Sequence, residues 1–379
     1  MHIKTALMSA RGVFDAAAVA SLILGATPVL AGPPTLDPHI INWVSFDVLD
    51  STGTNPSANN DLGEVTGWYS DANLIAHGFL RKADGAIVTF DPPGVGTGGT
   101  TPTGINNRGD IVGYYVDAAG GTHGFLRSAN GTFTRIDNPN SNSSPVSTQA
   151  FAISDTGAIV GDYSDTVTSH GFLREPDGYF MTIDGPGGGG EDSCLDINLG
   201  GEVACNPTFI QSGFEISRGQ LRFPGGNTAT YNAPGALTPG PGTYVGCNCG
   251  YYQSVINIWG DVTGNYIDAN GAFHGYVRRA TGSFTEFLVP GTGTISGTGT
   301  IPNSINWLGT VVGTSDSVPY TFGPAFVRFA NGSFILFTAP VSGQQGTAPV
   351  SVNAFNALTG YWIDANFSSH GFVALAVPW

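Results

Sequence analysis

Charge is what this chain of 379 residues has least of. Asp, Glu, Lys and Arg make up 11% of it, against about 25% in ordinary soluble domains. Cations are scarcer still: 13 Lys and Arg stand against 28 Asp and Glu, a formal net charge of −15. A surface that acidic repels phosphate backbones, so nucleic acid is excluded as the expected partner. A basic amphipathic helix for anionic lipid is missing as well. So is any apolar stripe of 3.6-residue period after residue 31, and surface helices are not expected. No later segment approaches the ~20 apolar residues that a membrane helix needs. The nucleophile elbow, phosphate loop and zinc-helix motif are absent. Gly187 to Gly190 form a flexible run without the strand-to-helix context of a nucleotide cradle. No cofactor and no metal are implied.

What is present suits short strands joined by tight turns: 56 glycines and 41% apolar residues. Residues 1–31 read as an export signal. Lys4 and Arg11 lead, Val13 to Leu30 supply the apolar stretch, and Val29-Leu30-Ala31 offer small residues before a cut ahead of Gly32. Residues 32–379 are then expected as one secreted or periplasmic domain with no membrane span.

A repeat of about 47 residues organises that domain. The reference copy, residues 105–139, reads INNRGDIVGYYVDAAGGTHGFLRSANGTFTRIDNP. Its marker is a glycine after the apolar pair of the second strand. That glycine recurs as Gly67, Gly113, Gly161, Gly264, Gly313 and Gly360, with Cys205 replacing it in a degenerate fourth copy. Successive spacings are 46, 48, 44, 59, 49 and 47 residues.

Each copy parses into four strands. The first ends at Ile105-Asn106, an Asn-Arg-Gly turn leads into Asp110 to Asp117, the third begins at His123, and Asn130-Gly131 turns into Thr132 to Asp137. Four antiparallel strands in 40–50 residues are the signature of a propeller blade. The last copy stops after its third strand, His370 to Val377, while an orphan, Val44 to Asp50, lies near the other end. Aligning Phe46 with Phe133 and Asp50 with Asp137 makes the orphan the missing fourth strand. The expected fold is therefore an all-β, seven-bladed β-propeller with four-stranded blades, closed by an N-terminal strand that completes the C-terminal blade. A β-sandwich does not explain the circular permutation.

The recurring His-Gly-Phe, at 77–79, 123–125, 170–172 and 370–372, resembles the HAF-type extracellular repeat of bacterial secreted proteins. That resemblance implies an exported propeller but transfers no reaction and no catalytic residue.

The same repeats carry Asp-His pairs: Asp71/His77, Asp117/His123, Asp165/His170, Asp268/His274 and Asp364/His370. They bracket the connection between strands two and three. A proton-transfer or metal role needs one site rather than five, so the pairs are expected to fix imidazole tautomers and tie strand ends together. Tyr69, Tyr115, Tyr163, Tyr266 and Trp362, two residues after the marker, are expected to pack between neighbouring blades.

The four cysteines, Cys194, Cys205, Cys247 and Cys249, lie in or beside the fourth copy. Export favours disulfides over a zinc site. Cys194–Cys205 is preferred because the pair flanks the Ile197–Val203 hairpin, and a crossed pairing with Cys247 and Cys249 stays open.

Long connections from strand four to the next strand one, at 92–104, 138–152, 185–196, 233–255, 290–304 and 340–351, define the face where a ligand is expected. Departure from the repeat points to Glu191, Asp192, Asp196, Glu202, Tyr244, Tyr251 and Tyr252 as candidate binding residues. The leading expectation is a non-catalytic propeller that binds a glycan, cell-surface component or protein through that face. The alternative is a secreted polysaccharide lyase or hydrolase with its site at the central mouth, for which acids near Glu191–Glu202 and a His or Tyr from an adjacent blade are the candidates.

Overall fold

In a computed structural model of the chain, the described residues are 36–185, 192–211, 214–236, 243–245, 256–317, 323–341 and 343–378. The expected export signal, Glu191, Cys247, Cys249, Tyr251 and Tyr252 lie outside them. Every regular element among the described residues is a β-strand. No described helix is long and apolar enough to cross a membrane.

The strands group as the repeat predicts. In the reference copy Val95–Ile105, Ile111–Asp117, Thr122–Arg127 and Phe133–Ile136 pair in order, each antiparallel to the next. The first strand is longer than expected. Much of the supposed loop 92–104 belongs to it, and Ser147–Ile153, Asp192–Ile197, Gly299–Ile305 and Gly346–Val352 likewise begin inside supposed loops. Gly and Thr in those segments suggest linker, but the threonines are buried and bond the end of the preceding fourth strand: Thr100 Oγ1 donates to Asp91, while Thr300 and Thr347 accept from the backbone N–H of Val289 and Ala339.

The marker glycine has a steric cause. Opposite it, the first strand bulges, between Pro56 and Ala58, Pro102 and Gly104, Ala150 and Ala152, Pro302 and Ser304, and Pro349 and Ser351. The bulge pushes a carbonyl against the glycine. A Cβ on Gly67, Gly113, Gly161, Gly313 or Gly360 would lie 1.9–2.2 Å from that oxygen. In the fourth copy Cys194 stands opposite Cys205 at the same bulge, with Cα atoms 3.9 Å apart, and a disulfide joins them. The preferred pairing is the one present.

The turn after the first strand is built by one asparagine in every copy but the third, where Ser154 takes its place. Asn60 Oδ1 accepts from the backbone N–H of Leu62 and Glu64, while its Nδ2 donates to the carbonyl of Asn106 in the next copy. Asn106 reaches Ser154 in the same way, Asn198 reaches Asn257, Asn257 reaches Asn306, and Asn306 reaches Asn353. Asn353 then donates to the carbonyl of Asn60, 293 residues away, at 3.0 Å.

The two ends of the chain share a sheet. Ile40–Phe46 pairs antiparallel with Ser369–Ala376, in a sheet that continues through Ala357–Ile363 to Gly346–Val352. The register differs from the sequence alignment by three residues. Phe46 lies opposite Gly371, as Ile136 lies opposite Gly124, so Phe46 takes the place of Ile136 and Asp47, not Asp50, that of Asp137. A bulge between Ile41 and Val44 sets this register, and Trp43 stacks on Phe372 with ring centroids 4.3 Å apart. The shared Phe misled the alignment, because either an aromatic or an aliphatic side chain fills that buried position.

Phe46 also makes the contact that joins consecutive copies. Phe90 meets Phe125 and Arg127 of the following copy, and Phe287 meets Phe326 and Arg328. Phe46 meets Phe79 and Arg81 of the first copy at nearly the same distances, 6.1 and 5.0 Å.

Candidate functional site

Side chains with chemistry gather where the second strand turns into the third and the fourth strand ends. Each histidine begins a third strand, so its cross-strand neighbour is the aromatic two residues past the marker. His170 pairs with Tyr163 and stacks on it at 5.0 Å; Trp362 and His370 stack at 4.3 Å. These aromatics therefore cover the imidazole of their own sheet, rather than serving only as contacts between sheets as expected.

The predicted aspartates are in place, at distances that vary. His123 Nε2 lies 3.0 Å from Asp117, His274 3.1 Å from Asp268, and His170 3.3 Å from Asp165; His370 to Asp364 and His77 to Asp71 are looser at 3.6 and 3.8 Å. The sequence reading missed a second, tighter partner. At the end of the fourth strand, Asp91, Asp137, Asp184 and Asp47 contact Nδ1 of His77, His123, His170 and His370 at 2.7–2.9 Å. The signal was visible as an Asp 14 residues after His77, His123 and His170. Each complete unit is thus an imidazole held between two carboxylates, with an aromatic ring on one face.

One unit opens into a cleft. Tyr163, Asp165, His170, Thr182 and Asp184, with Pro139, Asn140 and Asn142 from the preceding connection, line a space of about 370 Å³. His170 is 20% exposed there, while His123 in the neighbouring copy is closed off at 1%. Burial works against protonation of His170, but hydrogen bonds to Asp184 and Asp165 outweigh it and raise its pKa above the ordinary 6.5. Asp165 is held below the usual carboxylate range by the N–H groups of Thr168 and Val167, with His170 adding to them. His170 therefore contributes stability in full below about pH 6.5, and that contribution fades as pH rises through its raised value. Replacing Asp184 by Asn should lower the His170 pKa, and an NMR titration of the ring protons checks this. An unmoved midpoint would show that Asp184 does not hold the proton.

The candidate acids of the fourth copy do not converge. Asp192 is buried at 4% exposure, and its oxygens accept from the backbone N–H of Gly185 and Thr208. Burial pushes its pKa up to about 6 against those bonds, with the charge of Asp184 adding to the rise. Asp196, also buried, accepts from the backbone N–H of Ile256. Glu202 accepts from Asn198 and serves the asparagine turn. Tyr244 lies in the strand Thr243–Val245. Among the described residues no cluster of three or more His, Cys, Asp or Glu side chains has the arrangement to hold a metal ion.

No family model matches the chain, and no curated protein matches it. Solved structures do. Virginiamycin B lyase from Staphylococcus aureus superposes with a TM-score of 0.51 at 14% identity, covering 88% of this chain and 99% of that one. BP39L lectin from Burkholderia pseudomallei gives 0.51 at 12% identity, covering 87% and 98%. An acylaminoacyl peptidase from Pyrococcus horikoshii gives 0.50 at 8% identity, covering 87% of this chain but 52% of its own. The chain has a β-propeller-type fold; at these identities the likeness carries no activity.

Proposed function

We propose that the chain is an exported β-propeller of seven blades, closed into a ring, that binds a neutral or amine-bearing glycan without cleaving it. Two contacts support the closure. The bond from Asn353 to Asn60 repeats the link between consecutive copies, and Phe46 on Phe79 and Arg81 repeats their packing. The cleft at Tyr163 and His170 carries the functional reading. It combines two amides, two hydroxyls and two carboxylates on a rigid scaffold, as the hydroxyls of a sugar require, and its two aspartates disfavour an anionic ligand. It lies on the face expected from the loops, one copy earlier than the sequence suggested. One of the structures with this fold is a lectin.

A glycan array combined with a polysaccharide-degradation screen tests the proposal. Binding should be seen and should weaken at least ~10-fold in Asn140→Ala and Asp184→Asn, with circular dichroism showing each variant folded at the assay temperature. Release of shortened products by the wild type, abolished in a cleft variant, would replace a binding protein with an enzyme.

A further inference from the structure

The opposite end of the strands carries a surface that the cleft does not use. The asparagine turns of copies four to seven place Leu199, Ile258, Trp259, Trp307, Leu308 and Phe355 in solvent, at 42–67% exposure. They are neighbours. Asn198 bonds the carbonyl of Asn257, the Trp259 indole N–H donates to the carbonyl of Trp307 at 3.0 Å, and the Trp307 indole N–H donates to that of Ala354 at 2.7 Å. The corresponding turns of copies two and three hold Asn107-Arg108 and Asp155-Thr156. The turn of copy one sets an exposed Leu62 beside Asp61, so the face is apolar across copies four to seven, mixed in copy one and polar across copies two and three.

Both indole N–H groups are spent inside the protein, which pins the rings in place before any partner arrives. The polar flank is satisfied too. Asp61 accepts from the Ala354 N–H and from Asn107 Nδ2, and Asp155 accepts from the backbone and side chain of Asn107. A saccharide would find few free hydrogen-bond partners, and anionic lipid would meet a chain of net charge −15. What remains is an apolar protein surface. At 42–67% exposure the six residues together expose roughly 650 Å², near the ~800 Å² that each partner buries in a standard interface. None of the six is charged, so the patch can meet its own image about a two-fold axis without opposing like charges at its centre.

We infer that this turn face pairs two copies of the chain, leaving the cleft on the other face of each copy free. Sedimentation velocity on the purified protein at micromolar concentration tests this. The expected result is a species of twice the chain mass that tightens as salt rises, because salt screens repulsion between two acidic copies. Trp259→Asp and Phe355→Asp should each weaken it at least ~30-fold, while Val167→Asp, at an exposed apolar residue outside the patch, should not. Circular dichroism and melting curves confirm that each variant is folded. A wild-type monomer at both low and high salt, or a dimer that persists in folded Phe355→Asp, overturns the inference.

Discussion

Deleting residues 32–46 is expected to lower the melting temperature by more than about 10 °C and to cause aggregation. The segment contributes Ile40, which is 2% exposed, Trp43 stacked on Phe372, and Phe46 packed on Phe79. Truncating a fully buried aromatic costs about 3–5 kcal/mol and the partly buried Trp43 and Phe46 less, and each kcal/mol is worth roughly 2 °C in a domain larger than 150 residues. The deletion also bares the Ser369–Ala376 edge, whose unpaired N–H and C=O groups invite another strand. Trp43→Ala should reproduce about a third of the loss while leaving the edge paired. Differential scanning calorimetry with light scattering gives both readouts. An unchanged melting temperature in the deletion would mean that this strand does not hold the last sheet together, and the ring proposed above would lose its main support.

Gly161→Ala is the point substitution with the largest expected effect. Its new methyl would lie 1.9 Å from the carbonyl of Gln149 and 2.9 Å from the Phe172 ring. The bulge that presents the carbonyl is fixed by pairing on either side, so the backbone must move and about 3 kcal/mol or more should be lost. Gly225→Ala is the matched control, since nothing lies within 4 Å of its Cβ position, and should change stability by less than ~0.5 kcal/mol. Urea denaturation compares the two. Equal midpoints would show that the marker glycine answers to something other than this carbonyl. The fourth copy departs from this pattern. There the glycine is replaced by a cysteine, and the close approach has become the Cys194–Cys205 bond.

The candidate site was only half legible beforehand. The Asp-His pairs stood out because their partners lie five or six residues apart, within one hairpin. The second carboxylates, Asp91, Asp137 and Asp184, sit 14 residues downstream of their histidines, and only the pairing of the third strand with the fourth brings them back. Asp192 and Asp196 looked available because acids usually face solvent. Both instead lie in a first strand covered on each side, with backbone N–H groups as partners.

What the sequence determined by itself was the repeat: the strand count per copy, the turn residues and the marker position. Backbone sterics and hydrogen bonding impose these locally, and they recur wherever the same residues recur. What only the tertiary structure decided was register and exposure. A shift of three residues in the Ile40–Phe46 strand leaves its composition unchanged but decides whether Asp47 or Asp50 meets His370. Similar imidazole units are closed around His123, at 1% exposure, and open around His170, where Asn140 and Asn142 of the preceding connection line a cleft. Local rules repeat, whereas burial depends on what the rest of the chain places alongside.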